Sequence, residues 1–127
     1  MGLRSGIIIH SPWRFSDKIA YTLYPFILIL PWRDQWHSSH PECLRYRART
    51  INHERIHIRQ SIELLIIPFY FLYTGDKIRL KIMKRLGKAD ICCAYHNIAF
   101  EAEAFAHQLD TDYLKTRKLW AWRKFIY

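Results

Sequence analysis

The chain is poor in glycine, cysteine and acidic side chains, and each shortage narrows what it can be. Four glycines in 127 residues, with no internal repeat or low-complexity tract, argue against disorder except at the ends. The three cysteines are Cys43, Cys92 and Cys93. An odd count with an adjacent pair gives no disulfide framework, which fits a reducing compartment and a packing role for Cys92 and Cys93. Ile7-Ile8-Ile9 is too short for the apolar core of a signal peptide, and Gly6 stands where a myristoylation motif needs Ser or Thr. No export signal is expected, and the location read from this is cytoplasmic, including the inner face of the membrane. Eleven acidic residues against twenty Lys and Arg leave a formal net charge of +9. That balance favours nucleic acid, an anionic membrane surface or acidic substrates as partners, without choosing among them.

What is abundant is core-forming material. Half the residues are hydrophobic and 16% are aromatic, enough for one domain over residues 1–127 without disulfide staples. Gly6 to His10 reads as a short strand, since three β-branched residues run together. Ser11 to Ser16 reads as a proline-containing turn. The apolar stretch from Ile19 to Trp32 is interrupted by Pro25 and closed by Pro31, so a helix is excluded and Phe26 to Leu30 suits a buried strand. A polar loop follows over Arg33 to Glu42. A long helix is predicted from an N-cap at Thr50, through Glu63 and into the following Leu/Ile run, kinked at Pro68 and ended by Gly75. Lys77 to Leu86 forms a second helix stopped by Gly87, and Ala89 to Gln108 a third. Asp110 to Tyr127 is a Trp-rich basic tail with a short helix. The predicted class is α+β, mostly α, with one or two short N-terminal strands.

The predicted long helix carries His53-Glu54-Arg55-Ile56-His57, an H-E-x-x-H set. Histidines at i and i+4 lie about 40° apart on a helix, so both imidazoles project from one face. The spacing lets both bind one Zn²⁺, with Glu54 beside them as general base toward a metal-activated water. A surface helix that happens to carry polar residues is the competing reading.

A catalytic zinc site needs a third protein ligand. The chain has five glutamates in all, and two of them, Glu101 and Glu103, stand downstream on the predicted third helix. They lie about 200° apart on that helix, so both cannot face one metal. Glu101 shares its face with Asn97, Ile98, Ala104 and Phe105, the more apolar side, and is the preferred ligand. Glu103, sharing a face with His96, Ala99 and His107, is the alternative. In a third reading both are solvated carboxylates.

His53-Glu54-x-x-His57 followed by Glu101-x-Glu103-Ala104 resembles the gluzincin metallopeptidases, whose third ligand is a Glu on a downstream helix. With Gln60 added, as H-E-x-x-H-x-x-Q, it is more similar to a group of small bacterial zincin-like proteins of unassigned activity, over most of the chain. The resemblance implies a zincin-like domain with His53, His57 and Glu101 as ligands, Glu54 as base, and peptide-bond hydrolysis. It departs at Phe105, where many gluzincins carry an Asp that supports a ligand His; Asn97, one turn before Glu101, is the residue available to substitute. Tyr95, His96 and His107 are candidate donors to the tetrahedral oxyanion.

Three further constellations compete. His37, His40 and Cys43 have the spacing of a second zinc site, although Pro41 and the polar context favour a plain loop. Lys77, Lys81, Lys84, Arg85 and Lys88 fall within roughly 100° on a helical wheel, beside the charge-free run Leu64 to Tyr73. That run is too short to span a bilayer, but a helix pair could lie on an anionic leaflet, so a non-catalytic, zinc-stabilised peripheral membrane protein is the first alternative. Lys115, Arg117, Lys118, Arg123 and Lys124 alternate with Trp120, Trp122 and Phe125. This makes a basic nucleic-acid-binding module the second, although no known module is recognisable.

Overall fold

In the computed structural model, residues 6–13, 20–30, 41–88 and 94–126 are described. Outside them fall the end of the expected turn (residues 14–16), most of the expected polar loop with His37 and His40, and the first residues of the expected third helix with Cys92 and Cys93. The side chain of Cys43 is also outside. Among the described residues, three strands precede the helices: β1 (Ile7–His10), β2 (Ala20–Leu23) and β3 (Phe26–Ile29). β3 is central, parallel to β1 and antiparallel to β2, with Ile8 opposite Ile27 and Thr22 opposite Ile27 on the two sides. β2 and β3 are joined at Tyr24 and Pro25 across a cis peptide. One or two strands were expected and no element was assigned to Ala20–Leu23; its pairing with β3 makes it a third strand.

The helices among the described residues are α1 (Pro41–Glu63), α2 (Ile67–Arg85), α3 (Ala94–Asn97), α4 (Ala99–His107) and α5 (Tyr113–Thr116), followed by a 3₁₀ turn over Ala121–Phe125. The fold is therefore α+β and mostly α. Its sheet packs on α1. Ile27 and Ile29, alternate residues of β3, join Ala20 and Ile58 in one buried cluster, with Ile51 and Ile62 against it. Ile51, Ile58 and Ile62 recur at i, i+7 and i+11, one stripe of a helix. Gly6 enters here: its φ is +78°, and a Cβ on it would stand 2.7 Å from the Ile27 side chain, so only glycine fits. A second cluster, Leu64, Phe69, Leu80, Ile98 and Phe100, joins α1 and α2 to α4.

Five boundaries differ from the sequence reading. α1 starts nine residues before Thr50, because Pro41 can open a helix at no hydrogen-bonding cost and Glu42 complements its positive end. α1 stops at Glu63, where Ile66 N–H reaches Ser61 O at 2.6 Å and Leu65 N–H reaches Ile62 O at 3.2 Å. This is a Schellman end with Leu65 in the left-handed position at φ 59°. Pro68 lies in the first turn of the next helix, so it begins α2 where a kink was expected. Gly75 sits inside α2, which runs on to Arg85 as one helix. The expected third helix is broken at Ile98, whose extended ψ of 126° separates α3 from α4.

Gly87 closes α2 by the same motif, with Lys88 N–H on Met83 O at 3.0 Å and Gly87 N–H on Lys84 O at 3.2 Å. The two ends differ in the residues asked to take a positive φ, glycine at one and leucine, followed by Ile66 at φ 65°, at the other. For an L side chain that conformation costs roughly 1–2 kcal/mol. Leu65 is 79% exposed, so little packing is lost with its side chain. Leu65→Gly should raise unfolding free energy by about 1 kcal/mol in urea titration. A loss of stability would show that the leucine contributes contacts outweighing the strain.

Candidate metal centre

At about 100° per residue, α1 turns two faces inward. Ile51, Ile58 and Ile62 meet the sheet. His53, His57 and Gln60 point toward α4, and Glu54 lies between these two faces. Asn52, 8% exposed, ties the helices together: its side-chain amide donates to the carbonyls of Gln108 at 2.9 Å and Asp110 at 3.0 Å, with His107 O at 3.3 Å. It thus closes the C-terminal end of α4. At the other end, the Asp76 carboxylate of α2 accepts the Ala99 N–H at 2.9 Å. Fixed at both ends, α4 delivers Glu101 to the two histidines.

His53 Nε2 is 3.1 Å from Glu101 Oε2 and 3.2 Å from His57 Nε2, and His57 Nε2 is 3.3 Å from the same carboxylate oxygen. All three residues are buried, and among the described residues they form the one His/Cys/Asp/Glu group that could hold a metal ion. The triangle suits that purpose. Three ligands at ~2.0–2.1 Å from a tetrahedral ion stand roughly 3.3–3.4 Å apart, close to the spacings found.

The outer nitrogens are held as ligand histidines require. His57 Nδ1 faces Gln60 Oε1 at 2.8 Å and His53 Nδ1 faces Gln108 Oε1 at 3.1 Å. An amide oxygen only accepts, so each Nδ1 carries a proton, and in the neutral imidazole each Nε2 turns its lone pair to the centre. The orientation of Gln60 is fixed in turn, because its amide nitrogen donates to Phe100 O at 3.0 Å and Glu103 Oε2 at 2.8 Å. Tyr73 donates to Glu101 Oε1 at 2.6 Å, leaving Oε2 for the histidines. Phe105 packs edge-on to the His53 ring, centroids 4.6 Å apart.

Glu103 faces the other way. It is fully buried and receives Arg117 Nε at 2.5 Å and Tyr113 OH at 2.8 Å. Arg117 also reaches Glu63 Oε2 at 3.2 Å, and Glu63 accepts the Trp120 N–H. Neither glutamate is a solvated helix carboxylate. Glu103 holds the C-terminal segment against α1 and, through Gln60, braces His57.

Burial opposes charge on His57, but the Glu101 carboxylate beside it overrides this and lifts its pKa from 6.5 to about 9. Burial pushes the Glu101 carboxyl up, and His57, His53 and Tyr73 together bring it well below the ordinary carboxylate range. Burial and the neighbouring Glu101 raise the Tyr73 and Tyr95 phenols, so both stay protonated donors. Glu54 receives the Thr22 hydroxyl of β2 on Oε2. Glu54, His57, Glu101, Tyr73 and Tyr95 line one cleft of about 190 Å³, walled by Tyr21 and Thr22 of β2 and by Phe69 and Tyr70 of α2.

Of the other residues singled out in the sequence, His96 is exposed and packs on Phe105 at 4.5 Å. His107 stacks on Tyr113 at 3.7 Å. Neither lines the cleft. Asn97 ends α3, half-buried; Gln60 and Gln108 make the bonds to the imidazoles. In the tail, Arg117 is buried in its ion pairs, Trp122 packs on Phe100 at 4.8 Å, and Lys118, Arg123 and Lys124 are exposed. Sequence reasoning missed Thr22, Tyr73 and Gln108 and gave Gln60 no role. Gln60, three residues after His57, and Gln108, seven after Glu101, share faces with those ligands, a signal that was legible. Nothing in the sequence marks Thr22 or Tyr73.

Three outcomes follow. Without metal, a His57 pKa raised to about 9 contributes stability that is whole below 6.5 and lost as pH rises through about 9. The depressed Glu101 contributes stability present above 4.5 and lost as pH falls through its lowered value. The thermal midpoint of the metal-free protein should therefore fall between pH 6.5 and 9. Binding of a divalent ion near neutral pH should release about one proton, read by calorimetry in two buffers; no release would contradict the protonated imidazole. Arg117→Met strands the buried Glu103 charge and should cost about 3 kcal/mol in urea unfolding; a neutral change would mean that the pair carries little. No protein-family model matches the chain, and no curated protein and no solved structure matches it.

Proposed function

We propose that this chain is a zinc-dependent peptidase with a gluzincin-type site, in which His53, His57 and Glu101 hold the ion and Glu54 is the general base. The observation that supports it is one of placement. Two members of the His–His–Glu triangle, His57 and Glu101, line a cleft that also holds a carboxylate, Glu54, which is not one of the three ligands. Two neutral imidazoles and one carboxylate form a donor set suited to zinc, with a position left for a water or a substrate oxygen. Zinc bound there would supply Lewis acidity, polarising a peptide carbonyl and acidifying a water.

The chain's own residues do the remaining work. Glu54 takes the proton of the attacking water and later delivers it to the leaving amine. The Thr22 hydroxyl orients the Glu54 carboxylate by donating to Oε2. Tyr95, a phenol in the cleft wall that bonds to the Glu101 carboxylate, would turn from it to donate to the oxyanion of the tetrahedral species. Tyr73 holds Glu101 in its ligating orientation, and Gln60 and Gln108 do the same for the two imidazoles. Phe69 and Tyr70 close the apolar side and limit water access.

Zinc-loaded protein should hydrolyse an unstructured peptide library. Glu54→Gln should lower the rate by roughly 10²–10⁴-fold, the usual contribution of a positioned general base, while zinc content stays the same. Hydrolysis undiminished in Glu54→Gln would sink this mechanism.

A further inference from the structure

α2 has two apolar faces, and the fold uses only one. Phe69, Tyr73 and Leu80 point inward to the core. Ile67, Phe71, Ile78, Ile82 and Leu86 are 67%, 75%, 53%, 51% and 61% exposed. On a wheel of about 100° per residue these five share an arc of roughly 100° that runs the whole length of the helix. Exposed leucine or isoleucine side chains scattered singly need no explanation, whereas a continuous stripe does.

The neighbouring arc is basic. Lys77, Lys81, Lys84 and Arg85 border the stripe over the C-terminal half of the helix, Lys88 follows just past its end, and all but the half-buried Lys77 are exposed. The one acidic residue of α2, Asp76, lies on the inner side, bound to Arg79 at 2.7 Å and to the Ala99 N–H at 2.9 Å. The outward face therefore combines large apolar side chains with charge of one sign. Among the described residues, no helix is long and apolar enough to cross a membrane.

We propose that the outward face of α2 docks on an anionic lipid surface, the apolar stripe entering the boundary between headgroups and acyl chains while the lysines and Arg85 pair with lipid phosphates and carboxylates. The charge pattern selects this occupant. A second copy would bring one +9 chain against another and leave the basic arc unneutralised. A nucleic acid would satisfy the charges but leave the isoleucines and Phe71 in water. The inference is independent of the metal chemistry, since no residue of the stripe lines the cleft.

Full-length protein is floated with vesicles of phosphatidylcholine alone and of phosphatidylcholine with phosphatidylserine, at low and at moderate salt. Binding to the anionic vesicles only, weakened by salt, is expected. Ile78→Ser/Ile82→Ser and Lys81→Glu/Lys88→Glu should each weaken partitioning by roughly tenfold or more, with melting temperature and metal content preserved. No binding to anionic vesicles overturns the proposal. So does binding that the isoleucine substitutions leave intact, which would be charge contact without insertion. A salt-resistant dimer lost on Ile78→Ser/Ile82→Ser, with no vesicle binding, would assign the stripe to a second copy and also overturn it.

Discussion

The approach of two imidazole nitrogens and one carboxylate oxygen to within 3.3 Å of one another, out of water, is the constraint the rest of the molecule serves. Three lone-pair-bearing atoms at that distance are mutually unfavourable unless a cation stands among them. A proton on His57 meets part of the demand, which is why its pKa climbs to about 9 despite burial. A metal ion would meet all of it, and the outer hydrogen bonds suit that case. Both Nδ1 atoms face amide oxygens, and the second carboxylate oxygen is taken by Tyr73.

Most of the architecture can be read as the means of holding α1 and α4 in that relation. One stripe of α1 is apolar and carries the sheet, whose β2 brings Thr22 to Glu54. Another carries the histidines. α4 is fixed at one end by Asp76 and at the other by Asn52. The C-terminal segment returns Arg117 to Glu103, and Glu103 sets Gln60. A buried ion pair of this kind adds little net stability compared with an apolar replacement. Its value here is positional, since it connects the tail to a histidine through one glutamine.

The parts of this arrangement that lie within one helix were legible in the sequence. His53 and His57 announce themselves by spacing, and the apolar company of Glu101 pointed it toward the motif helix. The bonds that finish the site cross the chain. Thr22 to Glu54, His53 to Gln108 and Tyr73 to Glu101 span 32, 55 and 28 residues, and no local pattern encodes such pairings. Helix ends failed for a different reason. Pro41 and Pro68 were read as breakers although proline is favoured in a first turn, and Gly75 as a stop although the packed face of α2 carries the helix past it. Leu65 gave no warning, because a left-handed helix end normally announces itself with glycine.

The central claim is that the His–His–Glu triangle is a metal centre and that Glu103 is structural. Elemental analysis of the full chain after incubation with zinc under reducing conditions, beside Glu101→Gln and Glu103→Gln, tests it directly. The account predicts about one zinc per chain in the parent protein and in Glu103→Gln, and essentially none in Glu101→Gln. A parent chain that binds no zinc, or a Glu101→Gln variant that keeps it, would contradict the account.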